Sequence, residues 1–145
     1  MLELDVVVLD PDLPLPSYAR PGDAGADLFA RHGVVLAVGG GRGVVATGIS
    51  VAVPDGHAGF VLPRSGLAVR HGVTCLNTPG LVDPGYRGEL KVVLINTDPV
   101  HPYEVQRGDR IAQLVVQPVE QATFKVVGAL PTSERGEGGF GHTGR

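Results

Sequence analysis

The chain has 145 residues, 43% of them hydrophobic, which suffices for one globular domain with its own core. A formal net charge of −3 argues against broad electrostatic binding to nucleic acid or an anionic membrane. The single cysteine, Cys75, excludes an internal disulfide, and the sequence shows neither a basic signal-peptide start nor an apolar run long enough to span a bilayer. We therefore expect a soluble cytoplasmic domain.

The apolar residues repeat with the period of β-strands along most of the chain. A strand, a proline-stiffened crossing and a second strand are predicted in "VVVLDPDLPLPSYARPGDAGADLF". "GGGRG" is predicted to be a hairpin turn, because it lacks the Lys-Ser/Thr pair of a phosphate-binding loop. "SGLAVRHGV" has room for one helical turn at most. Further strands are predicted in "VVATGISVAV", "AGFVL", "ELKVVLIN", "RIAQLVVQPV" and "TFKVV".

Turn residues separate these strands, since the chain contains 22 glycines and 12 prolines. In "ELKVVLIN" the alternation places Leu90, Val92 and Leu94 on one face. Many short strands at this spacing predict an all-β fold, as an antiparallel sandwich, jelly roll or barrel. No linker, repeat or second domain is indicated.

Two common kinds of site are not favoured by the sequence. The five histidines lack metal-ligand spacing and Cys75 has no CxxC partner, which argues against structural zinc. Ser65 is not surrounded by G-x-S-x-G, which argues against a serine hydrolase.

Polar residues in loops between apolar strands are the candidates for chemistry. "PRSGLA" sets Arg64, a hydroxyl and a glycine amide side by side, the donors that a phosphate chain needs, although this turn also fits a structural role. In "DAGADL", Asp23 fits turn chemistry, and Asp27 fits either a site or a buried hydrogen-bonded acid. Gln113, on a predicted strand, fits a site or an exposed face.

A predicted hairpin, "CLNTPGLVDPGYRGELKV", carries a second group of candidates. Asn77 offers an amide for base edges, Asp83 a carboxylate for water, and Tyr86 a ring for a sugar. Asn77 and Asp83 are also ordinary turn formers.

Five blocks in order resemble the five motifs of the homotrimeric deoxyuridine triphosphatases (dUTPases): "PGDAGADLFA", "PRSGLAVRHGV", "LNTPGLVDPGYRGELKV", "RGDRIAQLVVQPV" and "RGEGGFGHTG". They span residues 21–144. The resemblance implies a distorted jelly roll of the β-clip type, assembled as a homotrimer with each active site shared by three subunits. It also implies a core at residues 1–134 and, at 135–145, a glycine-rich lid of the same domain.

The resemblance implies hydrolysis of dUTP to dUMP and pyrophosphate, which keeps uracil out of DNA and supplies dUMP for dTMP synthesis. Asp83 matches the catalytic carboxylate, which accepts a proton from the water that attacks the α-phosphorus. Mg²⁺ is implied as the cofactor, held mainly by the phosphates, with Asp27 orienting its water ligands. The implied phosphate cradle consists of Arg64, Ser65, Gly66, Gln113 and Arg135.

Selectivity for uracil is implied to lie in the third block. The part of the family's site that pairs with uracil and leaves no room for a 5-methyl group is matched here by Asn77 and by a stretch of backbone. That backbone comprises Gly80, Leu81 and Val82 and continues to Asp83. Tyr86 matches the ring beneath the deoxyribose. Lys91 matches a substrate-contacting position, and the alternative for it is pairing with Glu89 or a neighbouring carboxylate.

The C-terminal block implies a lid that closes over bound nucleotide. Phe140 matches the residue that stacks on uracil, and Arg135 the one that grips the phosphates. Gly141, His142 and Thr143 are implied to contact the substrate, with the Thr143 hydroxyl near the terminal phosphate. His142 stands where serine commonly follows "GFG" in the family.

Other functions remain alternatives to dUTP hydrolysis. A dCTP deaminase, or a bifunctional deaminase and dUTPase, shares the fold. Such an enzyme needs a glutamate for deamination and a second motif with a different sequence. A non-catalytic nucleotide-binding module is disfavoured because Asp83 and the C-terminal block are present. A capsid-type jelly roll shares only the architecture.

Overall fold

Eleven strands and one short helix form the regular structure in the computed structural model, which describes residues 1–144. Arg145, the last residue of the predicted lid, lies outside the described residues. In chain order the elements are β1 (Asp5–Val8), β2 (Ala26–Phe29), β3 (Val34–Leu36), β4 (Gly41–Ala46), β5 (Ile49–Ala52), β6 (His57–Leu62), α1 (Ser65–His71), β7 (Val73–Cys75), β8 (Gly80–Val82), β9 (Lys91–Asn96), β10 (Tyr103–Val105) and β11 (Arg110–Pro118).

All strand pairs are antiparallel and form four small sheets. The largest has the order β2-β11-β6-β8, the next β4-β9-β7, and β1-β5 and β3-β10 form pairs. The non-sequential order means that the chain crosses repeatedly between sheets, as in a jelly roll. The predicted all-β fold is confirmed.

The two larger sheets bury their inner faces in one hydrophobic core. On β9 the expected alternation is observed, because Val92 and Leu94 are 1% exposed while Lys91 points outward. Leu90, just before the strand, is also buried as expected. Alternate burial of β-branched and leucine side chains is what stabilises such half-buried strands.

The helix is longer than the sequence predicted. Seven residues, about two turns, are helical rather than one turn at most. Leu67 anchors the helix in the core, and Gly72 ends it in a left-handed conformation (φ 63°), where its N–H donates to Ala68 O at 3.0 Å. Core packing and the glycine cap therefore override the weak helix propensity of this segment. No helix within residues 1–144 is long and apolar enough to cross a membrane.

The predicted strand "TFKVV" is wrong. Residues 119–131 form no strand, and Phe124 and Val126 are 93% and 97% exposed. The segment pairs with none of the strands described for this chain, so its alternating pattern has neither a hydrogen-bonding partner nor a core to cover.

The two predicted hairpins are turns between different sheets. β3 pairs with β10 and β4 with β9, so "GGGRG" does not connect paired strands. In the same way β7 pairs with β9 and β8 with β6 on either side of the "LNTP" turn. The sequence located these turns correctly, but core packing between distant segments decides which strands pair.

An ionic cluster ties the loops beside the core together. Arg107 binds Asp10 through both guanidinium Nη atoms, at 2.6 and 3.0 Å. Arg31 lies between Asp10 and Glu89, at 3.4 and 3.1 Å from their carboxylates. The hydrogen bond from Arg107 is the main cause that lowers the pKa of Asp10 to about 2.

Cys75 is a free, buried thiol at the end of β7. It is 2% exposed, and burial raises its pKa to about 11, because a thiolate would lose its hydration there.

Candidate active site

A polar pocket, called here the arginine pocket, lies on the outer face of the four-stranded sheet. The strand register explains why it forms: Gln113 on β11 pairs with Asp27 on β2 and with Leu62 on β6, so these residues share a face. Arg64 follows two residues after Leu62. The pocket is lined by Asp27, Arg64, Ser65, Gly66, Arg110 and Gln113, among others.

A β-bulge brings Arg110 into this pocket. The register of β11 against β2 shifts between Arg110 and Ala112, and both Ile111 and Ala112 are buried. Strict alternation would point Arg110 and Gln113 to opposite faces, because they are three residues apart. With the extra residue of the bulge, both side chains line the outer pocket.

The Asp27 carboxylate lies between two guanidinium groups. Its Oδ1 is 3.4 Å from Arg64 Nε, and its Oδ2 is 3.3 Å from Arg110 Nη1. Arg64 Nη1 also donates to the backbone oxygen of Arg110 at 3.2 Å. Gln113 Nε2 donates to Pro63 O at 3.1 Å, next to Arg64. The pocket therefore offers several donors to an anionic ligand.

Two glycines leave space that these side chains use. A Cβ on Gly25 would overlap the Gln113 Oε1 atom, and one on Gly66 would lie 2.6 Å from Arg70 Nη2. Close packing of side chain against backbone is thus built into the pocket at Gly25, whereas the exposed end of Arg70 can move away from Gly66.

A second cavity, called here the edge pocket, opens beside β8 at the edge of the same sheet. Val61, Leu90 and Val93 form apolar walls. Six further lining residues are those that the sequence assigned to base, sugar or substrate contacts: Asn77, Gly80, Leu81, Val82, Tyr86 and Lys91. The structure thus brings this predicted group together.

Tyr86 is held in the edge pocket by its own loop. Its hydroxyl donates to Glu89 O at 2.9 Å, and its N–H donates to Asp83 O at 3.1 Å. The Glu89 carboxylate accepts from Arg31 at 3.1 Å and from the Gly48 N–H at 2.9 Å. Glu89 therefore connects the Tyr86 loop to the ionic cluster, and its partner is Arg31 rather than Lys91.

Asp83 directly follows β8, and its side chain is exposed. Its backbone oxygen fixes the turn through Tyr86, while neither pocket is lined by its carboxylate. A carboxylate in this position is free to meet water and a ligand that arrives from outside the chain.

The two pockets are separate within one chain. No residue of the described chain lines both, and Val61 of the edge pocket points to the opposite face from Leu62, whose face Gln113 shares. The residues predicted for the base and for the phosphates therefore do not meet in one cleft of a single subunit.

The C-terminal block does not reach either pocket. Arg135 Nε donates to Gly138 O at 2.8 Å, and Arg135, Gly141, His142 and Thr143 line a separate hollow together with Glu134. Phe140 is fully exposed. The predicted contacts of these five residues with substrate stay predictions.

Sequence reasoning missed Arg110, Gly25 and Glu89. All three stand inside the quoted blocks, but only the bulge and the Gln113 contact reveal the place of Arg110 and Gly25 in the pocket. Glu89 was considered only as a partner for Lys91. None of the three has a local pattern that distinguishes it from a strand or turn residue.

The fold and the two cavities define a class: an all-β jelly roll with one donor-rich and one half-apolar pocket. A family model described as dUTPase matches residues 12–144. The chain belongs to the dUTPase family, as the five motifs predicted.

Curated relatives match over nearly the whole chain. A deoxyuridine 5'-triphosphate nucleotidohydrolase from Thermobifida fusca is 61% identical over 143 residues, which cover 99% of this chain and 79% of the relative. One from Cutibacterium acnes is 56% identical over 142 residues, covering 97% and 93%. Among solved structures, the Staphylococcus bacteriophage 80alpha dUTPase with dUPNHPP superposes with a TM-score of 0.91 at 28% identity over 100% of both chains.

Proposed function

We propose that this protein is a dUTP diphosphatase, which hydrolyses dUTP to dUMP and pyrophosphate. Family membership supports the reaction, as do the names of the relatives. One structural observation carries the proposal furthest: six residues expected to contact base, sugar or substrate line a single cavity. This reaction would remove dUTP from the DNA precursor pool and supply dUMP for dTMP synthesis.

The edge pocket fits a uracil nucleoside. Gly80 packs tightly against β6, because a Cβ there would lie 3.3 Å from the Val61 side chain, and it lies beside the Asn77 amide. The backbone of β8 and the Asn77 amide supply donors and acceptors for the base edge, while the apolar wall excludes water. Tyr86, fixed through Glu89, offers its ring to the sugar.

The arginine pocket fits the triphosphate. The Arg64 guanidinium, the Ser65 hydroxyl, the Gly66 amide and the Gln113 side chain can hold phosphate oxygens while charge spreads over them in the transition state. Asp83 accepts the proton of the attacking water. Water oxygen then bonds to the α-phosphorus, and the bond to the bridging oxygen breaks, which releases pyrophosphate.

The residues of the arginine pocket fit a magnesium ion that arrives with the nucleotide. No group of three or more His, Cys, Asp or Glu side chains able to hold a metal occurs in residues 1–144. Mg²⁺ needs only one or two carboxylates when phosphates bind it, and it keeps several waters. Asp27 uses two of its roughly four acceptor positions on Arg64 and Arg110, so others remain for those waters. When bound, the ion neutralises phosphate charge.

We further propose a homotrimer in which the site is shared between subunits. The separate pockets and the detached C-terminal block support this assembly, since one chain does not join them. Phe124, Val126 and Leu130, which are 83–97% exposed, offer apolar surface for a neighbouring copy. A cytoplasmic location is also part of the proposal and is supported by the free, buried Cys75.

Pyrophosphate release from dUTP, dTTP, dCTP and UTP tests the proposed function. We expect rapid pyrophosphate release from dUTP and slow pyrophosphate release from dTTP and UTP. We expect no ammonia from dCTP, which a deaminase would produce. Equal rates on all four substrates would contradict uracil selectivity, and ammonia release would favour the deaminase. Light scattering tests the assembly: an active 15 kDa species would rule out the shared site.

A further inference from the structure

Arg110 is the residue of the arginine pocket that has no assigned part in the reaction. Its side chain is 51% exposed and contacts Asp27, which is 14% exposed and contacts Arg64 in turn. Arg64 is also bonded to the backbone of Arg110, so its guanidinium is tied to β11 by two routes. The three side chains form one chain of contacts across β2 and β11.

We propose that Arg110 is a positioning residue for Arg64 and that it acts through Asp27; this inference rests on the proposed phosphate-binding role of the pocket. Asp27 alone would pair fully with Arg64 and neutralise it. With Arg110 on its second oxygen, Asp27 shares its charge between two guanidinium groups. The group of three then carries a net charge of +1, and Arg64 stays oriented with positive charge available to phosphate.

The bulge in β11 supports this role. It moves Arg110 onto the outer face beside Gln113 without exposing Ile111 or Ala112, which are 1% and 0% exposed. Bulges re-aim side chains next to active sites. A surface arginine serving only solubility would not need a local break in the ladder.

A double-mutant cycle tests the inference in the full-length protein. Arg110→Ala, Arg64→Ala and the double variant are compared with the unmodified enzyme by pyrophosphate release from dUTP and by thermal melting. We expect Arg110→Ala to lower kcat/KM about 10- to 100-fold, the size of effect known for misplaced catalytic groups, with an unchanged Tm. In the Arg64→Ala background we expect the same change to cost less than about 2-fold, because the group it positions is gone.

Arg42→Ala is the matched control, since Arg42 is exposed on β4 and lines neither pocket. This substitution removes the same charge as Arg110→Ala. It should retain wild-type activity. If Arg110→Ala lowers Tm, Arg110→Gln replaces it in the same cycle.

Two results would overturn the positioning role. Wild-type kcat/KM for Arg110→Ala would show that Arg64 needs no support, and a full, additive loss in the Arg64→Ala background would show that Arg110 contacts the phosphates independently. The same four proteins are also titrated with inorganic tripolyphosphate by calorimetry. Unchanged affinity for Arg110→Ala, or a full additive loss of affinity in the Arg64→Ala background, would again overturn the positioning role. An unmodified protein that releases no pyrophosphate would contradict the proposed function instead, and the titration would still decide the role of Arg110.

Discussion

Gly25→Ala is expected to disable the arginine pocket without a large change in stability. A Cβ at this position would overlap the Gln113 Oε1 atom and lie 2.9 Å from Gln113 Cδ. The backbone of Gly25 is not left-handed, so alanine fits the chain conformation. The side chain of Gln113 must therefore move, and its amide leaves Pro63 O and the pocket.

The magnitudes follow from the contacts that are lost. Losing the bond to Pro63 costs about 0.5–1.5 kcal/mol of stability, whereas replacing glycine by alanine recovers about 0.4–1 kcal/mol by restricting the unfolded chain. Tm should hardly change. The hydrogen bond that we propose from Gln113 to charged phosphate would contribute about 1.5–3 kcal/mol. At about 1.4 kcal/mol per factor of ten, kcat/KM should fall by about 10- to 150-fold.

Pyrophosphate release from dUTP is the assay, with thermal melting beside it. Gly128→Ala is the matched control, because a Cβ there meets no atom within 4 Å. The double variant Gly25→Ala with Gln113→Ala should equal Gln113→Ala alone, since the clash is then mostly relieved. Full activity of Gly25→Ala beside an impaired Gln113→Ala would refute the steric reasoning.

Three further outcomes are expected. Asp83→Asn should still bind dUTP but hydrolyse it about 10²- to 10⁴-fold more slowly; wild-type turnover would remove Asp83 from the role of base. Deleting residues 135–145 should abolish turnover and leave Tm almost unchanged, because the block packs on itself; a fully active truncation would contradict the lid. Since the pKa of Asp10 is lowered to about 2, its carboxylate stabilises the fold above about pH 4 and loses this effect as the pH falls toward 2. Asp10→Asn should therefore lower Tm at pH 7 and flatten the loss of Tm between pH 4 and 2.

Local patterns predicted those parts of the fold that depend on local chemistry. Alternation on β9 identified the buried Val92 and Leu94, and glycine or proline clusters located the turns. Strand pairing was not predictable, because β3 finds its partner at β10 and β4 at β9 across long stretches of chain. The strand predicted at "TFKVV" was wrong because alternation of apolar residues predicts a buried face but does not show which surface packs against it.

The site divides in the same way. Motif resemblance assembled the edge pocket, because its six predicted residues lie between Asn77 and Lys91, inside one quoted block. Arg110 was missed because a period of two places it on the wrong face of β11, and only the observed bulge reverses that. A bulge depends on core packing at Ile111 and Ala112, which has no signature in the sequence.

The buried Cys75 thiol can report how often the surrounding core unfolds locally. With the pKa of Cys75 near 11, its thiolate population at neutral pH is about 100-fold below that of an ordinary cysteine. Reagents that attack thiolates must also wait until β7 leaves its partner β9, where Cys75 faces Leu94. Labelling of the native protein therefore measures how often this part of the core opens, and a nucleotide that holds the fold closed slows that labelling in proportion to its occupancy.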